Sequence, residues 1–289
     1  MPDKPAIIRV GGYNLFEGGL PKSATDRDQD DDFGRPLDTS RLRKQLAVLS
    51  RLNLDLLGLQ EATWGVHSPD VTNFVSSELG MSWPYVGRSP FYGCDLAAFV
   101  RQSDHLTVED ATHLTSPPFV HSLINLKLRI DGHPRPIHFL VGHCAPSSPT
   151  IRQAEAELLT VHRHLDLIYV ADFNAAAIGD KLDAREHDLD PYKAAKKFDT
   201  SPAEELAAAG FQDVGHIWGD RTPTVGHDDD TLAYRCDRIY TTLPTEWITG
   251  FGVERGADDL SDHRPVWAEL TIGQEPGEEH EGQTHGEAR

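Results

Sequence analysis

The start of the chain holds an apolar strand pattern, a helical pattern and a second strand pattern in succession. Two short apolar runs, AIIRVGGYNL (6–15) and LDLLGLQE (54–61), are typical of buried strands. Between them three leucines recur at helical spacing: Leu42, Leu46 and Leu49. The helix is predicted to begin behind a cap at Asp38 or Thr39. This strand–helix–strand unit is typical of α/β folds.

The rest of the chain repeats the two patterns. Further strand patterns are LAAFVR (96–101), SLINLKLRI (122–130), PIHFLVGH (136–143), LIYVADFN (167–174), RCDRIYTT (235–242) and PVWAELTI (265–272). A helix is predicted behind a cap at Ser148 or Thr150, and residues 175–210 have a polar helical pattern. We therefore predict one domain over residues 1–272, followed by a disordered acidic tail over residues 273–289.

The amino-acid composition indicates the class of protein and its expected cellular location. The chain has 289 residues, 38% of them hydrophobic, and no apolar run approaches the ~18 residues of a membrane span. Its N-terminal residues do not have the pattern of a signal peptide. The cysteines are far apart and form no Cys-x-x-Cys pair: Cys94, Cys144 and Cys236. We expect a soluble, monomeric, cytoplasmic protein that does not insert into membranes.

The charge of the chain bears on its partners. The formal net charge is −19, and the last 17 residues, with five Glu and one Arg, carry only −4 of it. The remaining body, at −15, is itself acidic. A field of this sign repels a polyanion, whereas binding to duplex DNA without sequence preference needs a basic surface.

Polar residues that could take part in chemistry recur where predicted strands end or begin. They are Asn14, Glu61, His143, Asp172, Asn174, Asp237, Asp262 and His263. Each of them alone is explained by a turn or a helix cap. Loops that leave one edge of a sheet gather ligands, so the repetition of polar residues at strand ends predicts a shared pocket.

The same residues argue against nucleophilic catalysis by serine or cysteine. The motif SDH (261–263) is consecutive and cannot form a catalytic relay, and the chain has no G-x-S-x-G elbow. Neighbouring residues on a strand point to opposite faces. If His143 and Asp237 face the pocket, Cys144 and Cys236 face the core and behave as small buried hydrophobes.

Six motifs occur in a characteristic order. They are GYNLFEGG (12–19), LLGLQE (56–61), VGHCAPSS (141–148), ADFNA (171–175), CDRIY (236–240) and LSDHRPV (260–266). The ordered set resembles the endonuclease/exonuclease/phosphatase superfamily, from about residue 7 to residue 272. The resemblance implies a four-layered α/β sandwich, with two mixed β-sheets packed face to face and helices on the outside. Two departures, Gly12 in place of a bulkier residue and Ala171 in place of Gly, remove no catalytic group.

The resemblance implies a divalent-metal-dependent hydrolase of a phosphoester bond. Glu61 is implied as the first metal ligand, with Asn14 and Asp262 near the same ion, directly or through water. Carboxylate and amide oxygens are hard ligands that suit Mg²⁺ or Mn²⁺. Such an ion neutralises charge on a phosphoryl group.

The other motif residues are implied in proton transfer and phosphate binding. His263 is paired with Asp237 for acid–base work, since a carboxylate holds the imidazole tautomer and stabilises its cation. Asp172 and Asn174 would orient the attacking water and hold the phosphate, and His143 would donate to a phosphoryl oxygen. Whether His263 or Asp172 is the general base stays open. Histidines outside the motifs are predicted to lie at the surface or with satisfied partners: His113, His121 and His216.

The acidic body favours a small phosphomonoester or phosphodiester substrate over nucleic acid. Asp95 lies at the start of a strand that lines the pocket in related proteins, so it is predicted to contact the substrate. The alternative is a DNA or RNA nuclease, which would need a locally basic opening, for example through Arg88, Arg101, Lys127 or Arg264. A catalytically inactive binding module is a second alternative, and it would be expected to have lost Glu61, Asp172 or His263.

Overall fold

Two β-sheets carry most of the described chain. The computed structural model describes residues 5–21, 37–66, 69–180, 191–227 and 232–273. The strands are β1 (Ala6–Asn14), β2 (Leu56–Gln60), β3 (Trp83–Gly87), β4 (Leu96–Val100), β5 (Leu106–Leu114), β6 (Leu123–Ile130), β7 (Ile137–His143), β8 (Asp166–Asp172), β9 (Gln212–Asp213), β10 (Asp237–Thr241), β11 (Ile248–Val253) and β12 (Val266–Ile272). The predicted acidic tail lies outside the described residues from residue 274 onward.

Each sheet has six strands and one parallel pair at its centre. The first sheet has the order β11-β12-β1-β2-β4-β3, and the second has the order β5-β6-β7-β8-β10-β9. The parallel pairs are β1 with β2 and β7 with β8, whereas all the other neighbours are antiparallel. Both sheets are therefore mixed, as the resemblance implied.

Helices connect the strands of each parallel pair. The α-helices of the described chain are α1 (Ser40–Arg51), α2 (Pro69–Leu79), α3 (Pro149–Leu159), α4 (Pro191–Lys197), α5 (Ser201–Ala208) and α6 (Val214–Trp218). α1 joins β1 to β2, and α3 joins β7 to β8. Ser148 caps α3 by accepting a hydrogen bond from the Ile151 amide, and near the start of α1 Asp38 Oδ1 accepts from the Ser40 amide.

The two sheets pack face to face through a continuous apolar cluster. Val10 and Leu56 from the first sheet and Val141, Val170 and Ile239 from the second sheet all belong to it. Two further clusters pack α1 and α2 against the outer face of the first sheet, and α3 and α5 against that of the second. The order helix, sheet, sheet, helix confirms the predicted four-layered sandwich.

Glycine allows the sheets to approach closely beside the site. A Cβ at Gly58 would overlap Val170 Cγ2 and lie 2.9 Å from Val141 Cγ1. A Cβ at Gly12 would lie 3.2 Å from Val170 Cβ. The unusual Gly12 therefore has a packing reason, because it faces a β-branched residue of the other sheet.

The sequence patterns missed several elements at the periphery. β3, β5 and β9 are edge strands, and β3 contains Pro84, which is tolerated at an edge because one side of the strand is unpaired. β5 reads LTVEDATHL, with polar residues where a buried strand would be apolar. α2, α6 and β11 were also not predicted. The helical pattern over 175–210 corresponds to α4 and α5 only, with turns before residue 181 and residues 181–190 outside the described ranges.

No helix within the described ranges is long and apolar enough to cross a membrane.

Candidate active site

The ends of the central strands bring the predicted site residues together. β1 ends at Asn14, β7 ends at His143, and β8 ends at Asp172, which is paired with His143 in the parallel ladder. Asp237 opens β10 and is the antiparallel partner of Asp172. Because these central strands end at the same edge, side chains from both sheets meet there. Asn14 Nδ2 donates to Asp172 Oδ2 at 2.9 Å and so links the two sheets.

Asp172 is the centre of this cluster. Its Oδ2 lies 3.4 Å from His143 Nε2 and 3.7 Å from His263 Nε2, in addition to the bond from Asn14. Its Oδ1 accepts from the Asn174 amide at 2.8 Å and from Cys236 Sγ at 3.0 Å. The side chain is buried. A buried carboxylate needs partners of this number and charge, because burial without them would be costly.

His263 is held between two carboxylates. Its Nδ1 hydrogen-bonds Asp237 Oδ2 at 2.8 Å, while its Nε2 faces Asp172. The backbone is fixed by Ser261, whose Oγ accepts from the His263 amide and donates to the Asn14 carbonyl. The Asp237 amide in turn donates to Thr224 Oγ1 at 2.8 Å. The ring can therefore present only Nε2 to the centre of the cluster.

The two carboxylates set the charge of this imidazole. Burial alone would lower the pKa of His263, but Asp237 and Asp172 together raise it to about 10. Burial would raise the pKa of Asp172, but His263, His143 and the Cys236 thiol lower it below its usual range. For Asp237 burial prevails and raises the pKa, although His263 opposes this. At neutral pH the structure thus holds an imidazolium beside the Asp172 carboxylate.

Glu61 lies at the edge of the cluster in a constrained conformation. Its φ is 56°, in the left-handed region, and its carboxylate is partly exposed. Its Oε2 accepts from the Glu17 amide at 2.7 Å, and its Oε1 lies 3.4 Å from Asn14 Nδ2. A non-glycine residue in this region is uncommon, and such strain concentrates at functional sites.

The donors around Glu61 fit a hard divalent ion in part. The carboxylates of Glu61 and Asp172 both lie within hydrogen-bond reach of the Asn14 amide nitrogen. The Asn14 oxygen accepts from the Phe16 amide at 3.0 Å, so contact with an ion through water suits this orientation better than direct ligation. Asp262 is exposed, and its carboxylate accepts from Ser261 Oγ at 3.5 Å. The Asp262 carboxylate helps to raise the pKa of the neighbouring His263.

Asn174 has a hydrogen-bond partner, Lys197, that the sequence motifs did not reveal. Its φ is 49°, its Nδ2 donates to the Cys144 carbonyl at 3.1 Å, and its Oδ1 accepts from Lys197 Nζ at 2.5 Å. Lys197 is the last residue of α4 and reaches the site from outside the sheets. It also lowers the pKa of Asp172. No motif surrounds Lys197, and only its place in a polar helical pattern gave a signal.

His143 is stacked on a second buried histidine. The rings of His143 and His121 lie 4.2 Å apart between centroids and 13° from parallel. Burial, with the neighbouring His143, lowers the pKa of His121 to about 3, so His121 stays neutral. Ser89 Oγ lies 3.1 Å from His121 Nδ1. His121 therefore lies against the site, as a buried residue partnered by Ser89 and His143.

Two further histidines from outside the motifs lie elsewhere. His113 Nδ1 meets Tyr85 Oη at 2.8 Å, and His216 Nδ1 meets Arg221 Nη1 at 2.7 Å. Both pairs are exposed. These residues agree with the prediction of surface positions.

Asp95 is buried next to this pair rather than open to a ligand. It is 1% exposed, and its Oδ1 accepts from the Ser89 amide at 2.8 Å. Ser89 in turn contacts His121 through its hydroxyl. This burial suits support of the His121–His143 pair better than the direct substrate contact that was predicted.

The two buried cysteines differ in their surroundings. Cys144 belongs to the apolar cluster beneath the second sheet and lies 4.0 Å from Tyr169 Oη, as strand alternation predicted. Cys236 is also buried, but its Sγ donates to Asp172 instead of facing only apolar residues. Cys236 also packs in an apolar cluster with Leu232 and Tyr234, so it combines the predicted burial with a polar contact.

Neither a family model nor a curated protein matches the sequence. Solved structures nevertheless match over nearly the whole chain. The endonuclease/exonuclease/phosphatase from Bacteroides vulgatus matches with a TM-score of 0.64 at 14% identity, over 92% of this chain and 99% of that one. D. rerio TDP2 complexed with single strand DNA product matches with a TM-score of 0.61 at 13% identity, over 91% and 98%. The human Nocturnin catalytic domain with bound sulfate anion matches with a TM-score of 0.57 at 16% identity, over 92% and 93%.

These similarities place the chain in a structural class. It has the fold of the endonuclease/exonuclease/phosphatase superfamily, so the resemblance inferred from the motifs is confirmed at the level of the fold.

Proposed function

We propose that the protein is a divalent-metal-dependent hydrolase of a phosphoester bond. The observation that carries the proposal is the continuous line Asp237–His263–Asp172, with separations of 2.8 and 3.7 Å, which continues through Asn14 to Glu61. A hydrogen-bonded acid–imidazole pair next to a cluster of carboxylates and amides is suited to activating water and stabilising a phosphoryl group. An inactive binding module would have no need to keep these groups in contact.

The charges of the site residues suggest a different role in hydrolysis for each of them. The Asp172 carboxylate, ionised at neutral pH, would accept a hydrogen bond from the attacking water and orient it. His263, held as an imidazolium by Asp237 and Asp172, would donate from Nε2 toward a phosphoryl oxygen, where negative charge develops. His143 would add a second imidazole donor, and Asn174, fixed by Lys197, would hold the phosphate.

A divalent ion such as Mg²⁺ or Mn²⁺ at Glu61 would supply electrostatic stabilisation of the phosphoryl charge. The Glu61 carboxylate would hold it, with Asn14 acting through water. Asp262, which is exposed beside His263, would act through water.

The requirement for an ion can be tested directly. A panel of phosphomonoesters and phosphodiesters is assayed with Mg²⁺, with Mn²⁺ and with EDTA. We expect activity only with an ion, and a Glu61→Gln variant that needs a higher ion concentration for half-maximal rate. Full activity after exhaustive chelation would contradict the proposal. A Glu78→Gln variant is the matched control, since Glu78 pairs with Arg43 at an exposed site.

For the substrate, we propose a small phosphoester. Arg264, Lys127 and Arg101, which were considered for a basic opening, are already engaged. Arg264 forms two 2.6 Å bonds with Asp258, Lys127 lies 3.3 Å from Glu109, and Arg101 donates to backbone carbonyls. With a net charge of −19, the chain has little to attract a long polyanion.

A nuclease is the second candidate, and two observations favour it. D. rerio TDP2, which shares the fold, is complexed with a single strand DNA product. In this chain Phe91 and Tyr92 are exposed side by side, with centroids 4.2 Å apart, and the Phe91 ring meets His121 edge-on at 5.6 Å. Exposed aromatic rings beside a phosphate site can stack on bases.

Side-by-side kinetics would decide between the two candidates. We expect kcat/KM on at least one small phosphoester to exceed that on single-stranded and plasmid DNA. If DNA is the better substrate and its hydrolysis falls steeply with salt, the chain is a nuclease.

A further inference from the structure

The Cys236 thiol lies in the site but has no role in the proposed hydrolysis. Cys236 is buried, and its Sγ lies 3.0 Å from Asp172 Oδ1. The other oxygen of Asp172 lies 3.7 Å from His263 Nε2. One ligand atom from each of these three residues lies within 4.8 Å of the others. A thiol, an imidazole and a carboxylate thus converge on one point.

We infer that Asp172, Cys236 and His263 form a second metal site, selective for a soft or borderline divalent ion such as Zn²⁺. Thiolate and imidazole ligands favour such ions, whereas Mg²⁺ and Mn²⁺ favour oxygen. The side-chain contacts of Glu61 and Asn14 described above are with carboxylate and amide groups. The two sites therefore differ in the ions they prefer, although Asp172 borders both.

The orientation of His263 suits metal binding. Its Nδ1 is held by Asp237 Oδ2 at 2.8 Å, so Nε2 points into the cluster. Metal-binding histidines typically have such a carboxylate on the second ring nitrogen, which fixes the ring and raises its basicity. Asp172 is likewise fixed, by the Asn14 side chain and the Asn174 amide. Two of the three ligands are thus held in place.

The spacing of the ligand atoms is close to that of a tetrahedral site. With metal–ligand bonds of about 2.0–2.3 Å, ligand atoms in such a site lie roughly 3.3–3.8 Å apart. The 3.7 Å between His263 Nε2 and Asp172 Oδ2 lies within this range, and the 3.0 Å between Cys236 Sγ and Asp172 Oδ1 is slightly shorter, so small side-chain movements would close the site. Water would supply the fourth ligand. Binding would release the thiol proton of Cys236 and the Nε2 proton of His263 to solvent.

Occupation of this site would block hydrolysis. Asp172 and His263 would be committed to the metal and unavailable to water and phosphate. The protein would then need one class of divalent ion and be inhibited by another. The inhibition rests on the proposed function, whereas metal binding does not.

Binding is tested on the full chain with Cd²⁺, a soft ion whose bond to a thiolate absorbs in the ultraviolet. We expect wild type to show the thiolate band and Zn²⁺ to abolish it by competition, with excess Mg²⁺ having no effect. Cys236→Ser keeps a donor to Asp172 and should lose the band, with Cd²⁺ affinity at least ~100-fold weaker. Asp237→Asn should weaken Cd²⁺ binding by about 10- to 100-fold, as is typical when the partner of a ligating histidine is lost.

Cys94→Ser is the matched control, because Cys94 is the partly exposed cysteine outside the cluster. It should keep the band and the affinity. If Cys236→Ser binds Cd²⁺ like wild type, or if the band disappears in Cys94→Ser, the inferred site is wrong.

Activity measurements then test whether metal binding at this site inhibits hydrolysis. For each variant, the Zn²⁺ concentration that halves its own uninhibited rate is measured at fixed Mg²⁺. We expect this concentration to be at least about tenfold higher for Cys236→Ser than for Cys94→Ser, following the loss of a ligand. Equal values despite weaker Cd²⁺ binding would overturn the inhibitory role. A clear Cd²⁺ band in a protein without hydrolase activity would instead contradict the proposed function and leave the metal site intact.

Discussion

At the scale of single residues, the site depends on charges that are buried together. Asp172 is placed where it would orient water, and His263 reaches its high pKa because Asp172 and Asp237 flank it. Asn174 and Glu61 adopt left-handed backbone conformations, with the Asn174 side chain bonded to Lys197 and the Glu61 side chain bonded to the Glu17 amide. Neither side chain could be predicted in this orientation without the contacts that hold it.

Removal of the imidazole tests the central role. We expect His263→Ala to lower kcat by about 10²- to 10⁴-fold, the range typical of a lost acid–base group. Asp237→Asn should lower kcat less, since the imidazole remains but loses its charged partner. Steady-state kinetics on the best substrate of the panel gives both values. His113→Ala, at an exposed histidine, serves as the control, and wild-type turnover by folded His263→Ala would contradict the role.

Lys197 is expected to act through Asn174. Because its Nζ donates to Asn174 Oδ1 at 2.5 Å, Lys197→Gln would remove a charged hydrogen bond and loosen the phosphate-holding amide. Bonds to charged groups contribute about 1.5–3 kcal/mol, so kcat/KM should fall by roughly tenfold or more. Lys197→Arg should recover part of the loss. The comparison variant is Lys196→Gln, whose Nζ contacts the exposed Ser147 carbonyl, and an equal loss there would argue against a specific role.

At the scale of elements, the site depends on how closely the two sheets approach. β2 of the first sheet and β7 and β8 of the second meet at Gly58, with Val141 and Val170 opposite it. This contact lies two to three residues before the strand ends that carry Glu61, His143 and Asp172. A change in sheet spacing would therefore reach the proposed catalytic groups.

Gly58→Ala is expected to destabilise the protein, because its Cβ would overlap Val170 Cγ2. Overpacking of this kind costs typically about 1–3 kcal/mol of unfolding free energy. Chemical denaturation followed by circular dichroism measures the change. A Gly58→Ala/Val170→Ala double variant creates space for the new methyl group, so it should be more stable than the sum of the two single changes predicts. If the changes in unfolding free energy of the two single variants simply add up in the double variant, the new methyl group does not clash with Val170.

At the scale of the whole molecule, the buried imidazolium couples stability to pH. The pKa of His263 is about 10 in the folded protein, against an ordinary value of 6.5. Between these values the folded chain retains a proton that the unfolded chain has lost. The stabilisation is therefore complete below about pH 6.5 and disappears as the pH rises toward 10.

We expect the free energy of unfolding, measured in EDTA, to fall by a few kcal/mol over this pH range. His263→Gln should show a much smaller fall, because it has no proton to lose there. His113→Gln should retain the wild-type slope. A wild-type stability that is flat from pH 6.5 to 10 would contradict the raised pKa.

The local patterns of the sequence determined the central elements and the candidate site residues. Buried strands such as β1, β2, β7 and β8 are predictable because their apolar runs are long enough to require burial on both faces. The N-cap at Ser148 is equally local, since it depends on one side chain and one amide. The order of six short motifs also indicated the superfamily fold before any contact was known.

Only the tertiary structure decided what these residues contact. Edge strands such as β3 and β5 escaped prediction because pairing with a neighbour, rather than their own apolar pattern, holds them in the sheet. Lys197 and His121 enter the site from segments with no motif, and the motif that contains Cys236 did not reveal its bond to Asp172, so these contacts depend on distances that span the chain. The sequence placed Asp262 beside His263, but only the structure shows that its side chain is exposed while the neighbouring imidazole is buried against Asp172 and Asp237.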